Sequence, residues 1–143
     1  MIRIATRLGI IACRYLVQGY EENRYISAPE IAEHYNMNVR ALMPALNQLT
    51  RAGILRSRVG GTTPGFIYAK DPKEISLHTI LVVLEGEPHF ECCKELIKEL
   101  KCDTKRCEEC GVFSLFHGVI DNVKNKFSTI NITDNAKRLF DNA

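Results

Sequence analysis

Five of the six cysteines lie within nineteen residues of one another in the second half of the chain. They are Cys92, Cys93, Cys102, Cys107 and Cys110. The cytosol keeps thiols reduced, so clustered cysteines without a secretory signal indicate metal coordination or redox chemistry rather than structural disulfides. The sixth, Cys13, stands in an apolar run and is predicted to lie in the core.

Four of these thiols suffice for a metal site. Cys107 and Cys110 form a C-x-x-C pair, which Cys102 and either Cys92 or Cys93 complete. Thiolate sulfur suits iron–sulfur clusters and zinc equally. We favour a 2Fe–2S cluster; a structural zinc site and a metal-free thiol switch are the alternatives. A redox enzyme is disfavoured, because C-x-x-C enzymes place the motif in a βαβ setting that the predicted elements lack.

The charge of the chain is divided unevenly. Residues 1–70 hold nine Lys/Arg and four Glu, a balance of +5, whereas residues 71–143 hold ten Lys/Arg and thirteen acids, a balance of −3. A basic surplus in one half is compatible with several contacts to nucleic-acid phosphates. The longest apolar run is far shorter than the roughly 18 residues of a membrane span, so we expect a soluble cytoplasmic protein with no membrane partner.

The basic half has the pattern of a helix-turn-helix. An amphipathic helix is predicted over residues 3–19, with Ile4, Leu8 and Leu16 on its apolar face. Ser27 begins a second helix as its N-cap, and Asn38 caps a third that ends at Gly53. Two short helices joined by a tight turn are typical of DNA readers.

A hairpin predicted after the third helix supplies a wing. Residues 54–58 and 66–69 read as strands around a glycine-rich and proline-containing tip. The third helix presents Met43, Thr50 and several donors to a DNA groove, and the wing offers donors to phosphate or the minor groove. The residues predicted to contact DNA are Ser27, Arg40, Asn47, Arg51, Arg56, Arg58, Thr62 and Thr63. Pro44 interrupts the third helix, so we expect this helix either to bend or to begin later.

The second half is predicted to carry the sensor and a dimerisation helix. Ser76 begins a fourth helix, and residues 112–127 repeat apolar side chains at helical spacing. So long an apolar face favours pairing with a second copy; folding back on the first helix is the alternative. We therefore predict a mainly α fold with a small β-hairpin wing: a winged helix-turn-helix domain over residues 1–71, then a cysteine-bearing loop and dimerisation helix over 72–143.

The ordered series from ISAPEIAEHY through AGILRSRVGG, the PGF element and the EISL…VLEG segment resembles the bacterial winged-helix regulators that include IscR, NsrR and CymR. The resemblance covers nearly the entire chain. It implies a homodimer, crossed through its long helix, that binds palindromic double-stranded operator DNA.

The resemblance also implies a 2Fe–2S cluster held by three cysteines after the VLEG-like element. Cys92, Cys102 and Cys107 stand in the three ligand places, and Cys110 stands where a fourth ligand would lie. Cys93 competes for the first place. The first helix supplies no carboxylate ligand here, since its matching stretch is Thr6-Arg7-Leu8-Gly9. Met43 and Pro44 replace polar residues of the reading helix.

Overall fold

Three helices and a two-stranded hairpin form the first half of the chain: α1 (Ile4–Glu21), α2 (Ala28–Tyr35), α3 (Val39–Arg51), β1 (Leu55–Arg58) and β2 (Gly65–Tyr68). A 3-10 turn at Pro72–Glu74 precedes α4 (Leu77–Glu85), and another at Cys107–Glu109 precedes α5 (Gly111–Ser128). The computed structural model describes residues 2–89, 91–93, 97, 99–102 and 106–134. The predicted mainly α fold with a β-hairpin wing is confirmed.

Both predicted caps of the helix-turn-helix are present. The Ser27 Oγ accepts a hydrogen bond of 3.2 Å from the Glu30 N–H at the start of α2. Asn38 Oδ1 accepts one of 2.8 Å from the Arg40 N–H at the start of α3. Asn36 ends α2 in the left-handed conformation, with φ of 52°. These short polar side chains satisfy helix-end groups and set the tight turn between α2 and α3.

The third helix runs through Pro44 instead of beginning after it. Its first residue is Val39 and its last is Arg51, so the alternative of a later start is wrong. Proline has no N–H, so the Arg40 carbonyl lacks its usual helical partner. Pro44 is exposed, and its ring points away from the core side of α3, where Leu42, Leu46 and Leu49 are buried.

The first helix packs closely against α3 and α4 through Gly9. A Cβ added at this glycine would lie 2.9 Å from the Ala45 Cβ and 2.9 Å from the Leu84 Cδ1. The buried face of α1 includes Leu16, as predicted, and Leu8 packs against the core, but Ile4 is 74% exposed. The small residues of α1 face the neighbouring helices, because small side chains allow the helix backbones to approach most closely. The buried positions of α1 are Thr6, Gly9, Ala12, Cys13, Leu16, Val17 and Gly19.

The wing is an antiparallel hairpin attached to the segment before α2. Leu55 pairs with Tyr68, and Arg58 pairs with Gly65. Phe66 also forms an antiparallel bridge with Ile26, with backbone bonds of 2.8 and 2.9 Å. This bridge fixes the base of the wing to the start of the helix-turn-helix.

The chain returns to the first half after its long helix. The Leu77 N–H donates to the Ile130 carbonyl at 2.8 Å, and the Ile132 N–H donates to the Ile75 carbonyl at 3.2 Å. Ile132 is fully buried in the same core as Leu16 and Leu46. The C-terminal end of α5 is thus connected to the core, and the helix packs beside α4.

The sequence also predicts two further helices, and both lie partly outside the described residues. These are the helix over residues 91–101 and the short closing helix of the tail. The domain boundary near residue 71 stays a prediction. In the part of the chain that the structure describes, no helix has the length and apolar character needed to cross a membrane.

Candidate nucleic-acid interface and cysteine site

One exposed stripe runs along α3. Arg40, Pro44, Asn47 and Arg51 recur at spacings of four, three and four residues and are all exposed, as one face of a helix requires. The three polar side chains can donate hydrogen bonds to base edges or phosphates. Pro44 occupies the middle of this stripe, so it adds an apolar contact to the reading face.

Two other residues expected on the reading face are partly withdrawn from it. Met43 is half-buried against the core. The Thr50 hydroxyl donates to the Leu46 carbonyl of its own helix at 2.8 Å. The surface that α3 offers to DNA is therefore narrower than the sequence pattern predicts.

An ion-pair network lies at the N-terminus of α2, next to Ser27. The Arg24 guanidinium donates to both Glu30 carboxylate oxygens, at 3.0 to 3.1 Å, and to Glu22 at 3.3 Å. These bonds raise the pKa of Arg24 further above its already high value. Tyr15 donates to Glu30 at 3.2 Å. The pairing of Arg24 with Glu30 was missed from the sequence, because two residues six positions apart across a helix start follow no helical or strand spacing.

The wing brings its predicted residues together with one that was not predicted. Arg58 Nε and Nη2 donate to the Thr63 carbonyl at 3.1 and 2.9 Å, and Nη2 also donates to the Thr63 hydroxyl. The Arg58 guanidinium lies 4.1 Å from the centroid of the Tyr25 ring. Arg56 is exposed on the same face of β1 as Arg58, two residues away.

A cleft of about 240 Å³ separates the wing tip from the start of α2. Ser27, Thr62 and Thr63, three of the predicted contacts, line it together with Arg24, Tyr25, Glu30 and Pro64. Hydroxyl donors from two elements therefore face one gap. The reading stripe of α3, this cleft and the exposed wing together make a candidate nucleic-acid interface.

The cysteine site brings together two of the four predicted ligands. Cys92 and Cys107 form a disulfide, with their Cα atoms 6.2 Å apart. Cys93 and Cys102 are exposed, and Cys110 is half-buried at the residue before α5. Within the described part of the chain, no three His, Cys, Asp or Glu side chains are close enough to hold a metal ion. Thiolate donors are chemically suited to an iron–sulfur cluster. In this structure, however, only Cys92 and Cys107 of the described candidate ligands are bonded to each other.

The segment between α4 and the cysteines is anchored to α5. Glu87 lies 3.2 Å from the Lys124 Nζ of α5 and 3.9 Å from the His78 Nε2 of α4. His89 bonds the Glu87 carbonyl at 3.1 Å and the Glu91 carboxylate at 3.2 Å, and these acceptors raise the pKa of its imidazole. The chain leading to Cys92 is thus held against the long helix.

A helix-turn-helix with a capped reading helix and a hairpin wing defines the class of winged-helix DNA-binding proteins. The chain belongs to the Rrf2 family, described as iron-dependent transcriptional regulators, which it matches over residues 2–138. It is therefore a DNA-binding transcriptional regulator rather than an enzyme. The predicted resemblance to IscR and CymR is confirmed.

Solved structures share the fold. IscR of T. potens is 24% identical with a TM-score of 0.76, over 99% of this chain and 90% of that one. CymR of B. subtilis, the global cysteine regulator, is 23% identical with a TM-score of 0.73, over 95% of each chain. The oxidized form of Staphylococcus aureus CymR is 24% identical with a TM-score of 0.70, over 97% and 98%. A comparison with curated protein sequences gave no significant match.

Proposed function

We propose that this regulator binds a two-fold symmetric operator as a homodimer, and that its cysteine segment couples operator binding to the iron, redox or nitric-oxide state of the cell through a 2Fe–2S cluster. The observation that carries the proposal is the meeting of the Cys92 and Cys107 side chains immediately before α5. A ligand or bond at this point acts on the beginning of the helix that we assign to dimerisation.

The DNA-binding half of the proposal assigns roles by position. Arg40, Asn47 and Arg51 read the major groove from the exposed stripe of α3, and Arg56 contacts phosphate from the wing. Ser27 and Thr62 donate to backbone phosphates at the cleft beside α2. All six lie on the basic half of the chain, where the charge balance favours a polyanionic partner.

The homodimer is supported by the exposed apolar side chains of α5. Within this helix, all of whose residues are described, none is fully buried. Phe113, Ile120 and Phe127 are half-buried, whereas a separate stripe is exposed. That stripe comprises Val112 (55%), Leu115 (65%), Phe116 (47%), Val119 (52%) and Val123 (43%). A second copy of the same helix covers such a stripe by two-fold symmetry.

The cysteine half of the proposal assigns Cys92, Cys102 and Cys107 as cluster ligands, with Cys110 as the fourth. When bound, the cluster supplies one-electron redox chemistry and reactivity toward oxygen or nitric oxide. The protein's part is to hold residues 92–110 in one conformation through these thiolates. If these thiolates no longer held a cluster, the segment would lose that restraint beside α5, which would shift the population between two dimer geometries.

Metal analysis of protein purified without oxygen tests the cluster. Iron and acid-labile sulfide in equal amounts are expected, together with brown charge-transfer absorption, and Cys102→Ala and Cys107→Ala should abolish both. Cys93→Ala is the matched exposed-thiol control and should retain them. Zinc found without sulfide would refute the cluster in favour of a structural zinc site. Metal retained in both Cys102→Ala and Cys107→Ala would refute the assignment of these two ligands.

A metal-free thiol switch is the second candidate, favoured by the Cys92–Cys107 bond itself. Here the two thiols lose two electrons and two protons to a disulfide oxidant such as oxidised glutathione, which is reduced to two thiols. Mass spectrometry after alkylation should then find these two residues linked in oxidised, metal-free protein. Operator affinity should differ between the reduced and oxidised forms, and Cys92→Ala should remove that difference.

Selection of genomic fragments by the purified, reconstituted protein tests operator binding directly. A two-fold symmetric consensus is the expected result. Binding without any sequence preference in every cysteine state would overturn the proposed regulator function. Replacement of all five clustered cysteines by serine separates the two halves of the proposal, because the reader should still bind DNA when the sensor is lost.

A further inference from the structure

We infer that Tyr25 and Arg58 form a brace that sets the angle of the wing against the helix-turn-helix, so that Tyr25 is a positioning residue for DNA reading. The inference rests on the proposed operator binding. It changes the role of Arg58 from a direct phosphate contact, as the sequence predicts, to a residue that acts through the wing.

The Arg58 side chain is bonded within the protein, to the tip of its own wing. Two of its nitrogens converge on the Thr63 carbonyl at 3.1 and 2.9 Å, and one also reaches the Thr63 hydroxyl. This fork joins the end of β1 to the far side of the wing tip. Its guanidinium plane is therefore committed to closing the loop over residues 59–64.

The face of the same guanidinium lies on Tyr25, 4.1 Å from the ring centroid. A guanidinium within about 6 Å of a tyrosine ring is attracted by the ring's negative face. Tyr25 is followed first by Ile26, whose backbone hydrogen-bonds to Phe66. The next residue is Ser27, which caps α2. The brace therefore connects the wing tip to the residue from which the helix-turn-helix begins.

Apart from the brace, the contacts described for the wing lie at its base, in the pairing of β1 with β2 and in the bridge between Ile26 and Phe66. Val59, Gly60, Gly61, Thr62 and Thr63 are all exposed, and Gly60 and Gly61 have φ of 79° and 73°. A glycine-rich tip of this kind has a large conformational entropy to lose on binding DNA. Tyr25 and Arg58 reduce that loss in advance, and they hold the cleft between Thr62 and Ser27 at its observed width.

Conservative variants distinguish a brace from a phosphate contact. Arg58→Lys keeps the positive charge but loses the fork to the Thr63 carbonyl and the planar stack on Tyr25, so it should weaken operator binding by about fivefold or more. Tyr25→Leu should produce a similar loss, and Tyr25→Phe should restore near wild-type affinity because the ring remains. Arg56→Ala, on the same face of β1, is the comparison for a phosphate contact: it should lower affinity for all duplexes and reduce the salt slope.

Salt dependence and hydrogen exchange supply readouts that a phosphate contact would not reproduce. Tyr25→Leu removes no charge, so the slope of log affinity against log salt should stay at the wild-type value while affinity falls. Amide exchange of residues 59–64 in the free protein should accelerate in Tyr25→Leu and Arg58→Lys, and should stay at the wild-type rate in Arg56→Ala and Tyr25→Phe.

The result that overturns the brace is wild-type affinity in Arg58→Lys together with unchanged exchange at the wing tip. If Tyr25→Leu fails to fold, which thermal denaturation would reveal, the exposed Arg58 variants decide the matter. Failure of the wild-type protein to select any operator would instead overturn the proposed function. The exchange measurement needs no DNA, so it tests the brace even in that case.

Discussion

At the scale of single residues, the six cysteines fall into two chemical groups according to burial. Cys13 is fully buried and lies beside Tyr68, whose hydroxyl donates to the Cys13 carbonyl at 2.6 Å. Burial raises the pKa of the Cys13 thiol to about 12, against an opposing contribution from its contact with Tyr68. Because the thiolate is the nucleophile, Cys13 takes no part in the sensing chemistry assigned to residues 92–110.

This burial predicts a loss of stability in alkali. The folded protein keeps the Cys13 proton up to about pH 12, whereas the unfolded thiol ionises near its ordinary pKa of 9.0. The folded state therefore binds more protons in that interval, and the free energy of unfolding should fall as pH rises from about 9 toward 12. Tyr68, whose pKa burial raises well above 10.0, acts in the same direction.

Denaturant unfolding across this pH range checks the prediction. Cys13→Ala and Tyr68→Phe should each make the fall less steep. Cys93→Ala, which removes an exposed thiol, is the matched control and should leave it unchanged. An equally steep fall in Cys13→Ala would mean that other groups cause the alkaline instability.

Gly65 is a second residue with a specific physical requirement. Its φ is 146°, and an added Cβ would lie 2.4 Å from the Ile26 carbonyl carbon and oxygen. Gly65→Ala should therefore destabilise the protein by at least about 2 kcal/mol, since the bridge between Ile26 and Phe66 must open. Gly60→Ala is an informative comparison, because a Cβ there meets nothing within 4 Å although φ is also positive. Chemical denaturation of both variants gives the difference, and equal losses would contradict this reading.

At the scale of elements, the wing carries a prediction about phosphate contact. Arg56 is exposed on β1, and its replacement by alanine removes one positive charge from the proposed interface. Arg56→Ala should weaken binding to specific and unrelated duplexes alike, and should reduce the salt slope by about one. Filter-binding or fluorescence titrations at several salt concentrations measure both quantities. An unchanged slope would exclude Arg56 as a phosphate contact.

The reading helix carries a prediction about Pro44. Pro44→Ala restores an N–H that can donate to the Arg40 carbonyl, so it should stabilise the protein by about 1–3 kcal/mol. It should also change operator preference, because the proline ring is then missing from the exposed stripe. Thermal unfolding and repeated operator selection are the measurements. If the variant is stabilised but selects the wild-type operator consensus, Pro44 affects only stability and the predicted role in DNA recognition is wrong.

At the scale of the whole molecule, dimerisation should depend on the exposed apolar stripe of α5. Val119→Glu places a charge at a position that is 52% exposed in one chain and covered in the proposed dimer. Sedimentation equilibrium should show a monomer, and affinity for a two-half-site operator should fall by at least tenfold while half-site binding persists. Asn125→Glu, an exposed polar position of the same helix, is the matched control. A dimeric Val119→Glu protein would move the interface elsewhere.

The sequence by itself determined the elements and their order. Caps at Ser27 and Asn38, and the glycines that end helices and permit the wing, act through neighbouring residues, so their effect can be read locally. The burial of Cys13 followed from its apolar run for the same reason. The thiol cluster was evident from composition and spacing alone.

Only the tertiary structure decided which side chains meet across distant parts of the chain. Three such contacts join residues that no helical or strand period connects. They are Tyr25 with Arg58, Cys92 with Cys107, and Ile132 with the core of the first half. Packing also decided that Ile4 is exposed and that α3 continues through Pro44. Neighbouring helices approach closely at small residues such as Gly9, and such tertiary contacts override the helix propensity of single residues.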